Sequence, residues 1–94
     1  MKSFTDNPNT AVITTKFVLE QRSPILHVFH YEDDGSWQFS EEETNLKDED
    51  FRVISLEEII SIDPTILDIS DLPLGEEAYR IDIDSPWKIE KYED

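Results

Sequence analysis

The chain contains no cysteine and only two glycines in 94 residues. Without cysteine, neither disulfides nor thiolate zinc sites can supplement the core, which fits a reducing compartment. Two glycines leave no material for a glycine-rich loop that cradles phosphate, and no Gly-x-Ser-x-Gly elbow occurs. Long apolar runs are also missing. No stretch approaches the roughly 20 residues that a membrane helix needs. The opening segment "MKSFTDNPNTAVITTKF" has no apolar run of signal-peptide length. These features lead us to expect a cytoplasmic protein, and its length allows one small domain with a modest stability margin.

Positive charge is scarce as well. Eight basic residues stand against 23 acidic ones, a formal net charge of −15. Such a surface repels nucleic acid and anionic membranes, so neither is an expected partner. It attracts a basic protein and speeds encounter with it. An acidic surface also keeps a small protein soluble, and the composition alone does not choose between these roles.

Residues 1–10 are polar, contain an Asn-Pro step and read as a flexible tail. The domain proper is expected over 11–94. "AVITT" is a β-branched strand, and "TKFVLEQR" offers two helical turns capped by Thr14 or Thr15 and ended by Ser23-Pro24. "ILHVFHY", residues 25–31, is apolar on both alternating faces, as in the middle of a sheet. In "SWQFS", Trp37 and Phe39 share one face. The "EDDG" between these two strands has the Asp-Gly signature of a tight hairpin, with Gly35 at positive φ.

"EEETNLKDED", residues 41–50, is too charged to pack and reads as a mobile loop. "FRVI" returns as a strand. In "SLEEIISI", Ser55 and Glu58 form a capping box, and Leu56, Ile59 and Ile60 share a helical face. Asp63-Pro64 stops that helix and starts another through Ile66, Leu67 and Ile69. "AYRIDID" alternates Tyr79, Ile81 and Ile83 against Ala78, Arg80, Asp82 and Asp84. After the turn "DSP", "WKIEKY" returns with Trp87 and Ile89 inward. The order predicts an α+β fold: a mainly antiparallel sheet of five or six strands, with two or three short helices on one face.

No residue pattern announces catalysis. Glu32, Asp33 and Asp34 are consecutive, so they splay around a turn, whereas a calcium loop needs alternate carboxylates and a distal glutamate. His27 and His30 are three apart on a strand and point to opposite faces, so they cannot chelate one metal together. No cofactor or metal is expected. The large aromatic residues are needed for the core, while tryptophan and tyrosine are also enriched at binding hot spots.

The segments "GSWQF", "VISLEEI", "DP", "DLPLGEEAYR" and "PW" occur in this order. The arrangement resembles a group of small bacterial proteins of unknown function, over roughly residues 11–92. Related domains are predicted immunity proteins of bacterial toxin systems, and the resemblance implies that role. This chain has Glu76 where such sequences tend to carry a tryptophan after the "LPxG" glycine.

Three functions compete. The first is a protein-binding domain, most concretely an immunity-type inhibitor of a basic toxin acting by occlusion. Its expected contacts are Glu32, Asp33, Asp34, Trp37, Glu41, Glu42 and Glu43. The second is an enzyme or small-ligand protein with a pocket near His27, His30 and Arg80. The third is a standalone regulator or assembly subunit, which an exposed apolar sheet face would suggest. A deep pocket holding polar groups favours the second; a flat acidic and aromatic surface favours the first.

Overall fold

The structure is a computed structural model that describes residues 2–42 and 46–92. These residues form a six-stranded sheet with short helices, an α+β fold. The chain runs β1 (Ala11–Thr15), α1 (Lys16–Gln21), β2 (His27–His30), β3 (Trp37–Ser40) and β4 (Phe51–Ser55). It continues through α2 (Leu56–Ile62), a 3-10 helix (Pro64–Ile69), β5 (Glu76–Tyr79) and β6 (Lys88–Lys91). Strand order across the sheet is β4-β1-β3-β2-β5-β6. All neighbours are antiparallel except β1 and β3, which the α1 crossover makes parallel.

The helices begin where side chains satisfy their open amides. Thr15 Oγ1 accepts from Val18 N at α1, and Ser55 Oγ accepts from Glu58 N at α2. The other two open amides of α2 find backbone partners instead, Leu56 N on the Thr10 carbonyl and Glu57 N on Pro8. Asp63 ends α2 and caps the 3-10 helix by accepting from Thr65 N and Thr65 Oγ1. Pro64 takes the first position there, where a missing amide hydrogen does no harm.

α1, α2 and the Pro64–Ile69 helix contribute to one hydrophobic cluster on one side of the sheet. Val18, Leu56, Ile59, Ile66 and Ile69 meet Val12, Val28, Trp37, Phe39 and Ala78 there. The opening segment, expected to fray, adds to it. The Phe4 ring stands edge-on to Trp37 at 5.0 Å and to Phe39 at 6.2 Å.

The β2–β3 turn is the expected "EDDG" loop, residues 32–35, closed by Tyr31 N on the Ser36 carbonyl and Gly35 N on the Tyr31 carbonyl, with Gly35 at φ 73°. Other expectations need correction. β5 stops at Tyr79, short of the expected strand "AYRIDID"; Ala78 and, just beyond the strand, Arg80 are buried, while Ile81 and Ile83 are exposed. Arg80 is drawn inside because Asp63 and the Ile25 carbonyl wait for it there. Ile89 is likewise exposed, since β6 is an edge strand. At the end of the acidic loop, Asp48–Asp50 form a short 3-10 helix, and buried Asp50 pairs with Lys16 at 3.2 Å.

Candidate functional site: the uncovered face of the sheet

Paired residues on neighbouring strands share a face, so the register assigns each side chain to a side. The face away from the helices carries Ile13 and Val53, then Gln38, then His27 and Phe29, then Glu77 and Tyr79, then Glu90 and Lys88. None of these residues belongs to the helix-covered cluster. Val53 is 68% exposed.

Along this face runs a continuous aromatic ladder. His27 stacks on Phe29 with ring centres 4.3 Å apart, and Phe29 stacks on Tyr31 at 5.7 Å and 5° between planes. Tyr92 stands edge-on to both Phe29 and Tyr31, at 6.0 and 5.6 Å. Offset and edge-on arrangements are those that the ring quadrupole favours. Tyr31 donates its hydroxyl to Gln38 Oε1 at 2.8 Å, which fixes the ladder to β3. At the β1–β3 end the face is closed by Glu41, whose carboxylate accepts from Thr15 Oγ1 at 2.7 Å.

Next to the ladder, Leu26, His27, Glu42, Glu77, Tyr79, Arg80, Ile81 and Glu90 line a groove of about 550 Å³. His27 Nε2 donates to Glu77 Oε1 at 2.9 Å, and the Tyr79 hydroxyl donates to Glu90 Oε1 at 3.1 Å. The bond to Glu90 holds the Tyr79 phenol above its ordinary value, with burial and the charges of Glu90 and Glu77 adding to the effect.

The residues picked out from sequence separate into distinct places. Glu32, Asp33 and Asp34 are exposed on the β2–β3 loop. Asp34 works as a turn residue, accepting from the Ser36 hydroxyl at 2.7 Å and the Ser36 amide at 3.0 Å. Those bonds hold its carboxyl below the ordinary value. Glu41 and Glu42 lie at the other end of β3, a strand length of roughly 13 Å away. Glu43 lies outside the described residues. Trp37 is 1% exposed and stacks on Phe39 and His30, so it is a core residue and offers no surface to a partner.

His27, His30 and Arg80 do not converge. His30 faces the helices, 3.8 Å from the Trp37 ring centre, and donates Nδ1 to the Leu72 carbonyl at 2.7 Å. Arg80 borders the groove, but its guanidinium is committed inward. It donates to the Ile25 carbonyl at 2.8 and 3.0 Å and to Asp63 Oδ2 at 3.0 Å. The Trp87 ring covers it at 4.1 Å. A second hollow, of about 490 Å³ beside α1, is walled largely by Val18, Leu19, Ile25, Ile62 and Ile83. Its Asp63 carboxylate is already taken by Arg80 and Thr65. Among the described residues, no group of three metal-ligating side chains comes together, and no helix is long and apolar enough to cross a membrane.

Phe29, Tyr92, Glu77 and Glu90 were not singled out from sequence. The period-2 alternation of residues 27–31 put Phe29 and Tyr31 on one face, but which face the helices cover is a tertiary choice. No protein-family model, curated protein or solved structure matches this chain.

Proposed function

We propose that this chain is a protein-binding domain that takes a basic partner on its uncovered sheet face. The observation that carries the proposal is the aromatic ladder of His27, Phe29, Tyr31 and Tyr92, left without a helix and bordered by Glu42, Glu77 and Glu90. Stacked aromatic rings supply large contact area at little cost in side-chain entropy. Carboxylates around them steer a basic surface into place. A second copy of this chain is a poor occupant, since it would bring another charge of −15.

The likeness of the sequence motifs to small bacterial proteins related to predicted immunity proteins supports a narrower form. In that form the partner is a basic toxin, and binding occludes its working surface. The steering carboxylates extend to Glu32, Asp33 and Asp34 on the hairpin loop and to Glu41 at the opposite end, while contact energy comes from Phe29 and Tyr92. Trp37 has no part in it.

The test is to recover a partner with the tagged chain from its own cells and to measure association against salt. The association rate is expected to fall on the order of tenfold between low and high ionic strength, as exposed charges are screened. Phe29→Ala is expected to leave association nearly intact and to speed dissociation. A partner whose association ignores salt, or whose dissociation ignores Phe29→Ala, would overturn the proposal. So would a salt-resistant dimer of the chain itself that buries this face.

A further inference from the structure

The register of the sheet sets two carboxylates against each other on the uncovered face. Glu77 of β5 lies directly opposite Glu90 of β6, and like charges in that relation destabilise a strand pair. Among the described residues, neither they nor Glu42 beside them forms an ion pair with lysine or arginine. Lys88 shares the face, opposite Tyr79, but stays exposed without joining either carboxylate. Instead, one oxygen of each is held by an uncharged phenol or an imidazole, Tyr79 on Glu90 and His27 on Glu77. Each of those bonds engages one carboxylate oxygen, and both residues line the groove. The groove's apolar wall is exposed too, with Ile81 79% accessible.

We infer that this groove receives an arginine side chain of the basic partner. The inference rests on the proposed function, since it names what part of that partner the face recognises. A guanidinium is planar and carries five donors in a fixed fork, so it can bridge two carboxylates at once. Its flat face can lie against Tyr79 and His27 while its methylenes cover Ile81 and Leu26. A lysine ammonium offers a point charge and cannot both bridge and stack. Bringing in one cation also removes the Glu77–Glu90 repulsion, so the occupant stabilises the strand pair that forms its seat.

The experiment titrates the full chain, labelled with 15N, with L-arginine amide, L-lysine amide and L-citrulline amide, the last an uncharged near-isostere of arginine. Arginine amide is expected to give saturable shifts centred on Glu77, Tyr79 and Glu90, with lysine amide at least threefold weaker as an order of magnitude. Citrulline amide should leave these signals unmoved. Glu90→Gln should weaken arginine amide roughly fivefold, the loss of one charge-assisted contact at a partly exposed site. The same variant should melt at or above the wild-type temperature, because a like-charge pair has gone.

The inference is overturned if the shifts spread evenly over the acidic surface, or if Glu90→Gln leaves them unchanged. It is also overturned if lysine or citrulline amide binds as tightly, or if Glu90→Gln lowers the melting temperature. None of these results touches the salt dependence of partner association. A partner weakened by Phe29→Ala but not by Glu90→Gln would therefore remove the arginine seat alone.

Discussion

His27 and His30 sit three residues apart on the same short strand, and their surroundings have little in common. His30 is stacked on Trp37 beneath the helices, with its Nδ1 spent on a backbone carbonyl. His27 lies on the open side, stacked on Phe29 and bonded to a carboxylate beside a groove. Strand periodicity alone creates this division: alternate side chains serve alternate faces, so one segment can build both a core and a recognition surface. The pattern of aromatic residues does not distinguish the two sides. What distinguishes them is which side the helices cover.

The contrast can be broken most directly by truncating one aromatic on each face. Phe39→Ala, on the covered side, is expected to cost about 3–5 kcal/mol, the usual loss for a buried ring. Phe29→Ala, half-buried on the open side, is expected to cost less than about 1.5 kcal/mol. Urea unfolding measures both, and equal losses would mean that the two faces are equally structural. A similar effect, about 3–5 kcal/mol, is expected for Asp63→Ala, which leaves the Arg80 charge buried without its partner. Replacing both members by apolar residues should restore part of that loss, whereas a fully additive double variant would show that the pair is not coupled.

A smaller effect sharpens the same comparison at the cover itself. Ser55→Ala removes the side-chain cap of α2 and is expected to cost about 1 kcal/mol. Since α2 lies only on the helix side, the His27–Phe29–Tyr31 signals should keep their wild-type positions in an NMR spectrum. Shifts along that ladder would show the two faces to be coupled.

The smallest effect appears in acid. The Lys47 amide, and then Lys16, hold the Asp50 carboxyl below its ordinary value against the opposing effect of burial. A carboxyl whose folded value is lowered contributes stability that is complete above its unfolded value. That contribution is lost as pH falls through the folded one, so the window lies below about pH 4. Asp50→Asn is expected to be less stable than wild type at pH 7 and to close that gap below the window. Unfolding curves at several pH values check it, and a gap that stays constant into acid would count against this assignment.

Much of the fold was legible because local chemistry and global position agreed. Ser55, Asp63-Pro64 and Asp34-Gly35 mark a helix start, a helix junction and a turn by the backbone bonds they make or lack, and each does so in the structure. The β5 segment is less legible. Its alternation divides Tyr79, Ile81 and Ile83 from Ala78 and Arg80 without saying which set is internal, and a buried ion pair between residues 17 apart in sequence decides the matter in favour of Arg80. Periodicity carries no signal for such a partner. The candidate site was half legible. Consecutive carboxylates drew attention to the hairpin loop, while Glu77 and Glu90 face each other only through a pairing that spans the 80–87 connection. Trp37 was weighed as a contact on residue type, and its burial follows from the Phe4 and His30 rings packed against it.

Arg80 has a consequence for how the molecule comes apart. Its guanidinium joins the Ile25 carbonyl ahead of β2, Asp63 at the α2 junction, the Ile83 carbonyl in the following connection, and the Trp87 ring before β6. Two stretches distant in sequence and the connection that follows Arg80 thus share one fastening, and none can open far without exposing a buried charge. Opening of β5 is thereby tied to release of α2. Amide exchange in β5, around Ile25 and at the end of α2 should then proceed through a single opening event with one free energy. The outer strand β6, which lies beyond that fastening, would exchange earlier.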